Sequence, residues 1–148
     1  MEPRRAFEGL RLVALFAVGL LVGLHYARMG YMPLDQSICF DGGWRVLCGQ
    51  IPLRDYTAPN GFTVHVMQAA FFAVFGVNWF AYCLHAAVIN ALAVLLVDRL
   101  LLRLGLERWA SSAFASCTAF AFYPPFGVPY MDQHAFFFSL LALLLAIT

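Results

Sequence analysis

From Trp79 to Val97, nineteen consecutive residues carry no formal charge. About twenty apolar residues of helix cross a hydrocarbon core of roughly 30 Å, and a backbone in lipid must satisfy its own hydrogen bonds, which a helix does. Trp79 and Tyr82 stand at one end of this run, with Asp98, Arg99 and Arg103 at the other. An aromatic belt facing an arginine belt orients such a helix, with the arginines on the cytoplasmic side.

The rest of the chain agrees with lipid as solvent. Of its 148 residues 63% are hydrophobic and only 11% charged, with a mean hydropathy of +0.79, outside the range of ordinary soluble domains. All nine cations are arginines and the net charge is +1, so no basic patch suited to nucleic acid exists and that partner is set aside. The four cysteines follow no metal-ligand spacing. On one helix Cys39 and Cys48 would sit ~13 Å apart, beyond disulfide reach.

Other apolar runs extend the pattern. Leu12 to Ala27, flanked by Arg4, Arg5, Arg11 and Arg28, reads as a span. A cleaved signal peptide is the competing reading, disfavoured by the length of the run and the lack of a small-residue cleavage site. Phe62 to Phe75, fourteen residues between Gly61 and Gly76, reaches only ~21 Å as a helix and is read as interfacial or re-entrant. With that segment not spanning, Arg4, Arg5, Arg11, Arg99, Arg103 and Arg108 fall inside and only Arg28, Arg45 and Arg54 outside, as the positive-inside rule favours. Trp109 to Tyr123 returns outward and stops at Pro124 and Pro125. Ala135 to Thr148 is leucine-rich and too short for a comfortable span.

The expected fold is therefore all-α, a multi-pass transmembrane bundle with spans at about 10–28, 78–102, 109–123 and 134–148. An outer loop at 29–77 carries two juxtamembrane helices at about 35–48 and 62–75. The N-terminus is expected in the cytoplasm and the chain in the plasma (inner) membrane. The short last segment reads as the start of something longer, so 1–148 is expected to be the N-terminal part of one membrane domain.

The charged residues gather in the outer segments. Asp35 opens a helical stretch in which Phe40, Trp44 and Leu47 share a face and Asp41 pairs with Arg45 at i, i+4. It can cap that helix, or act as a general base on an attacking hydroxyl, and the two roles are compatible. Arg54 and Asp55 read either as a solvated pair or, for Arg54, as a forked phosphate ligand. His65 could meet a metal or a headgroup. Asp132 and His134, one residue apart, form a weak metal signal, and Asp132 could equally cap the last helix; an ionisable group at the mouth of a membrane bundle is still a site candidate. His25, His85 and Asn90 read as packing or interhelical bonding.

Asp35, then Gly49, "IPLRDYTAPNG" and an apolar segment ending "FFAVFG" resemble the first outer loop of GT-C-fold glycosyltransferases that use polyprenyl-phosphate sugars. This is the group that includes protein O-mannosyltransferases, lipid A aminoarabinose transferases and lipopolysaccharide-core galacturonosyltransferases. The likeness runs from about Asp35 to His134. It implies an inverting transfer from a polyprenyl-phosphate sugar at the outer face to a hydroxyl of a lipid, glycan or protein acceptor, with membrane lipids around the site. Asp35 matches the catalytic carboxylate, and Asp132 falls where a second acidic residue often shapes the same site. Arg54, Asp55, His65 and His134 are then candidate substrate-binding residues. The resemblance makes no cofactor certain and leaves a divalent metal open. Two positions depart: Gln36 stands where the family has a second acid, and "APNG" where it has a proline pair, so metal or donor contacts are not carried over there. The alternative from another class is a non-enzymatic multi-pass protein, a transporter or assembly subunit, with a polar outer loop.

Overall fold

The computed structural model describes residues 3–29, 36–58, 61–123 and 127–147. Among these, six helices occur in the order α1 (Pro3–Tyr26), α2 (Gln36–Leu47), α3 (Thr63–Phe75), α4 (Trp79–Arg103), α5 (Arg108–Ala121) and α6 (Met131–Ala146). No strand forms among the described residues, only an isolated bridge between Pro52 and Tyr56. Arg5–Tyr26 and Trp79–Arg103 are each long and apolar enough to cross a membrane, which points to membrane association. At fourteen and sixteen residues, α5 and α6 extend only ~21–24 Å.

Helix α4 is the centre: α1, α3, α5 and α6 all pack on it, and 67% of its apolar window is buried against 17% for α1. Small residues set the α1–α4 approach. A Cβ on Gly19 would lie 2.6 Å from Ala91 Cα, and one on Gly23 2.7 Å from Ala87 Cα, so two small-xxx-small stripes face each other. That is how membrane helices gain van der Waals contact where lipid gives no hydrophobic drive. Asn90 locks the seam, its amide donating to Gly19 O at 2.9 Å and Ala119 O at 3.0 Å. The outward faces stay apolar: Phe7, Leu10, Val13 and Leu21 on α1, Phe114 and Phe120 on α5, and Leu143 and Leu145 on α6 are exposed. Patches of this extent call for lipid or protein to cover them.

The two ends of the bundle differ. At one end Arg11 reaches across to α4, donating to both carboxylate oxygens of Asp98 at 2.7 and 3.0 Å and to Ser112 Oγ at 2.8 Å. Ser111 Oγ lies 2.9 Å from the same carboxylate, and Asp98 is fully buried. At the other end, Tyr26 Oη donates to Phe120 O and the α2–α3 pair packs near the start of α4, with Phe40 between Phe72 and Tyr82 at centroid distances of 4.9 and 5.2 Å.

Helix α3 joins α4 through a tight corner. Gly76 takes a positive φ of 80°, and Asn78 caps α4, accepting from Ala81 N at 2.9 Å while donating back to Phe75 O at 2.8 Å. Gly42 and Gly43, which cost α2 helix propensity, are explained by α3. A Cβ on Gly42 would meet the His65 ring at 2.5 Å, and one on Gly43 would meet Gln68 Cγ at 2.5 Å.

Candidate functional site

Two hollows flank α2. A cleft of about 300 Å³ is lined by Ile38, Asp41, Gly42, Tyr56, Thr57 and His65. An apolar groove of about 470 Å³ is lined by Ser37, Phe40, Asp41, Trp44, Val77, Trp79 and Tyr82. Asp41 borders both. Its carboxylate takes a hydrogen bond from Arg45 Nε at 2.6 Å, and the Arg45 guanidinium lies over the Tyr56 ring, 5.5 Å from its centroid.

His65 forms the inner wall of the cleft. It is 1% exposed, stacks on Tyr56 and places Nδ1 3.0 Å from Tyr56 Oη, while its Nε2 has no hydrogen-bond partner. Burial lowers the pKa of His65 below the usual imidazole value and raises that of the Tyr56 phenol, so both groups are held neutral. The cleft thus offers a carboxylate, a hydroxyl and a neutral imidazole beside an aromatic face, a set able to hold a polyhydroxylated ligand.

The loop at 51–55 folds on itself. Arg54 donates to both oxygens of Asp55 at 2.8 Å, and Asp55 also accepts from Ile51 N at 2.7 Å. These bonds hold the Asp55 carboxyl at about 2, below its ordinary value. Neither residue is among those lining the two hollows, and the exposed Arg54 spends its fork on Asp55.

Asp132 and His134 part company. Two positions along a helix turn the chain by ~200°, so Asp132 is exposed in the first turn of α6 while His134 points inward at 2% exposure. His134 meets His85 of α4, Nε2 to Nε2 at 3.0 Å. Its Nδ1 lies 2.7 Å from Tyr130 O and 3.4 Å from Tyr123 Oη. His85 Nδ1 in turn lies 2.9 Å from Gln68 Oε1. Asp35 lies outside the described residues. The structure therefore brings His65 together with Asp41, Tyr56 and Thr57, and His134 with His85 and Gln68, but not His134 with Asp132.

The groups missed in the sequence are Asp41, Tyr56 and Gln68 as site members. Their signal was the pairing of Gly42 and Gly43 with His65 and Gln68, two glycines able to sit on two polar residues at i, i+3. Among the described residues no group of three or more His, Cys, Asp or Glu converges to hold a metal. None of the four cysteines is in a disulfide; Cys39 and Cys83 are buried and Cys48 and Cys117 exposed. Comparison with protein-family models, curated proteins and solved structures finds no match.

Proposed function

We propose that this chain belongs to a multi-pass membrane glycosyltransferase of the GT-C kind, moving a sugar from a polyprenyl-phosphate donor to an acceptor hydroxyl at the outer face. The observation that carries this reading is the α2–α3 pair packed against the start of α4, opposite the arginine-rich end that holds Arg11, Arg99, Arg103 and Arg108. The positive-inside rule makes that arginine-rich end cytoplasmic and the α2–α3 end external. An apolar groove walled by Trp44 and Trp79 suits an isoprenoid tail, and the polar cleft across α2 suits a sugar or its acceptor.

The chemistry proposed is a single displacement. Asp35, which immediately precedes α2, takes the proton of the acceptor hydroxyl; the oxygen attacks the anomeric carbon; the bond from that carbon to the phosphate oxygen breaks; and polyprenyl phosphate leaves with its electron pair, inverting the anomeric centre. Asp41 and Tyr56 are placed to hold sugar hydroxyls. Asp132 is exposed in the first turn of α6 and lines neither hollow, so no step is assigned to it. A second reading, a transporter or assembly subunit, is favoured by one observation: His85, Asn90 and Asp98 are buried ionisable or polar groups on α4, where a transport path would place them.

Tryptophan fluorescence separates the two. Trp44 and Trp79 line the groove, and Trp109 lies at the start of α5, at the opposite end of the bundle. In lipid nanodiscs, polyprenyl phosphate should change the emission saturably, and Trp44→Phe should remove most of the change while Trp109→Phe keeps it. A change no larger than that given by an ordinary anionic phospholipid contradicts the donor site.

A further inference from the structure

With Gln68 turned so that Oε1 faces His85 and its own Nε2 is left unpartnered, the His85–His134 contact does not close as a set of ordinary hydrogen bonds. Tyr130 O only accepts, so His134 Nδ1, 2.7 Å away, carries hydrogen. Gln68 presents Oε1, also an acceptor, to His85 Nδ1 at 2.9 Å. A neutral imidazole has one N–H. Both Nε2 atoms are then lone pairs, facing each other at 3.0 Å between side chains that are 0% and 2% exposed.

Two lone pairs at that distance repel unless an electron acceptor lies between them. We propose that His85 and His134 form a binding site for one soft transition-metal ion, copper(I) being the class that the donors select. With metal–imidazole bonds of about 2.0–2.1 Å, the length seen for zinc, nitrogens 3.0 Å apart hold an ion at an N–metal–N angle of roughly 90–97°, set to one side of the line joining them. Each ligating ring also donates its other N–H to an oxygen, the arrangement that fixes tautomer and ring orientation in histidine metal sites.

Access and a third donor come from α6. A cavity of about 120 Å³ is lined by Gly61, Thr63, Met131 and His134 among others. Met131, one turn before His134 on the same face, packs on the cluster of Val64, Phe72 and Tyr82 and lines this cavity with His134; its thioether is the third ligand of the proposal. Imidazole with thioether suits copper(I). The partners seen around the pair, Gln68, Phe71, Tyr123 and Tyr130, are uncharged, and a buried site without a counter-charge accepts a monovalent ion at lower cost than a divalent one. The site lies in the interior between α3, α4 and α6, apart from the outer cleft, and stands whether or not the chain transfers sugar.

The test is an anaerobic titration of the purified full chain with copper(I) against a chromogenic chelator, with X-ray absorption on the loaded protein. One ion per chain is expected, with nitrogen ligands near ~2.0 Å and one sulfur. Gln68→Leu, which removes the outer acceptor without adding a sulfur, should weaken binding by about 10–100-fold, the usual worth of an outer partner. His85→Gln and His134→Gln should weaken it further. Met131→Leu, which keeps size and apolarity, should remove the sulfur signal and weaken binding. Helical circular dichroism equal to that of the parent chain verifies the fold of each variant. No copper retained against the chelator, or affinity unchanged in folded Gln68→Leu and Met131→Leu, overturns the site. The Gln68 amide would then be turned to donate, making the pair a plain neutral hydrogen bond.

Discussion

Asp35→Asn should abolish the proposed sugar transfer, leaving on the order of 10⁻² to 10⁻⁴ of the parent rate, the usual worth of a general base, with the protein still inserted and folded. The substitution keeps shape and hydrogen-bonding capacity and removes only the basic carboxylate. The neighbouring acids provide the comparison. Asp41 is exposed and bound to Arg45 at 2.6 Å, and Asp55 is held by Arg54 and Ile51 N, with its carboxyl at about 2. A carboxylate so depressed is a poor base, so Asp55→Asn should loosen the loop and leave much of the transfer rate. Asp41→Asn should raise KM more than it lowers kcat, since Asp41 borders both hollows as a binding group. Transfer assays on the three variants check this ordering; a fully active Asp35→Asn leaves Asp35 as a helix cap.

The largest stability effect is expected at the other end of the bundle. Asp98 is fully buried and takes two hydrogen bonds from Arg11 and one from Ser111. Arg11→Met leaves that carboxylate uncompensated, and breaking one partner of a buried pair costs about 3–5 kcal/mol. Arg11→Met with Asp98→Leu removes both charges and should recover most of the loss, because well-packed apolar replacements of a buried pair are often neutral. Thermal unfolding in detergent, followed by α-helical signal, measures both. Equal melting of the single variant and the parent would mean that water or lipid headgroups reach Asp98.

The helices were legible because length and apolarity decide them: the charge-free run of α4, the short α3 between Gly61 and Gly76, and the proline stop after α5 are local properties. What covers each face was not. His65 read as a residue of an interfacial helix open to a metal or a headgroup, and the structure buries it, with Gln68, under Gly42 and Gly43, because periodicity shows which residues share a face but not which element lies on it. Asp98 read as one end of a charge belt; its partner Arg11 is 87 positions away, a separation no local pattern carries. Gly19 and Gly23 did carry a readable signal, the small-xxx-small spacing that brings α1 onto α4. His85 was read as packing and His134 as a weak metal signal and substrate-binding candidate beside Asp132, and only the approach of α6 to α4 makes the two histidines a pair.

In the proposed topology the α2–α3 pair lies at the outer face and α3 does not cross the membrane. Single cysteines at Asp55→Cys and Leu104→Cys, in a chain whose native cysteines are replaced by serine or alanine, report this directly through a membrane-impermeant maleimide applied to intact cells. Labelling of the first and protection of the second until the cells are permeabilised is the predicted result. Labelling of both, or of neither, before permeabilisation would contradict it.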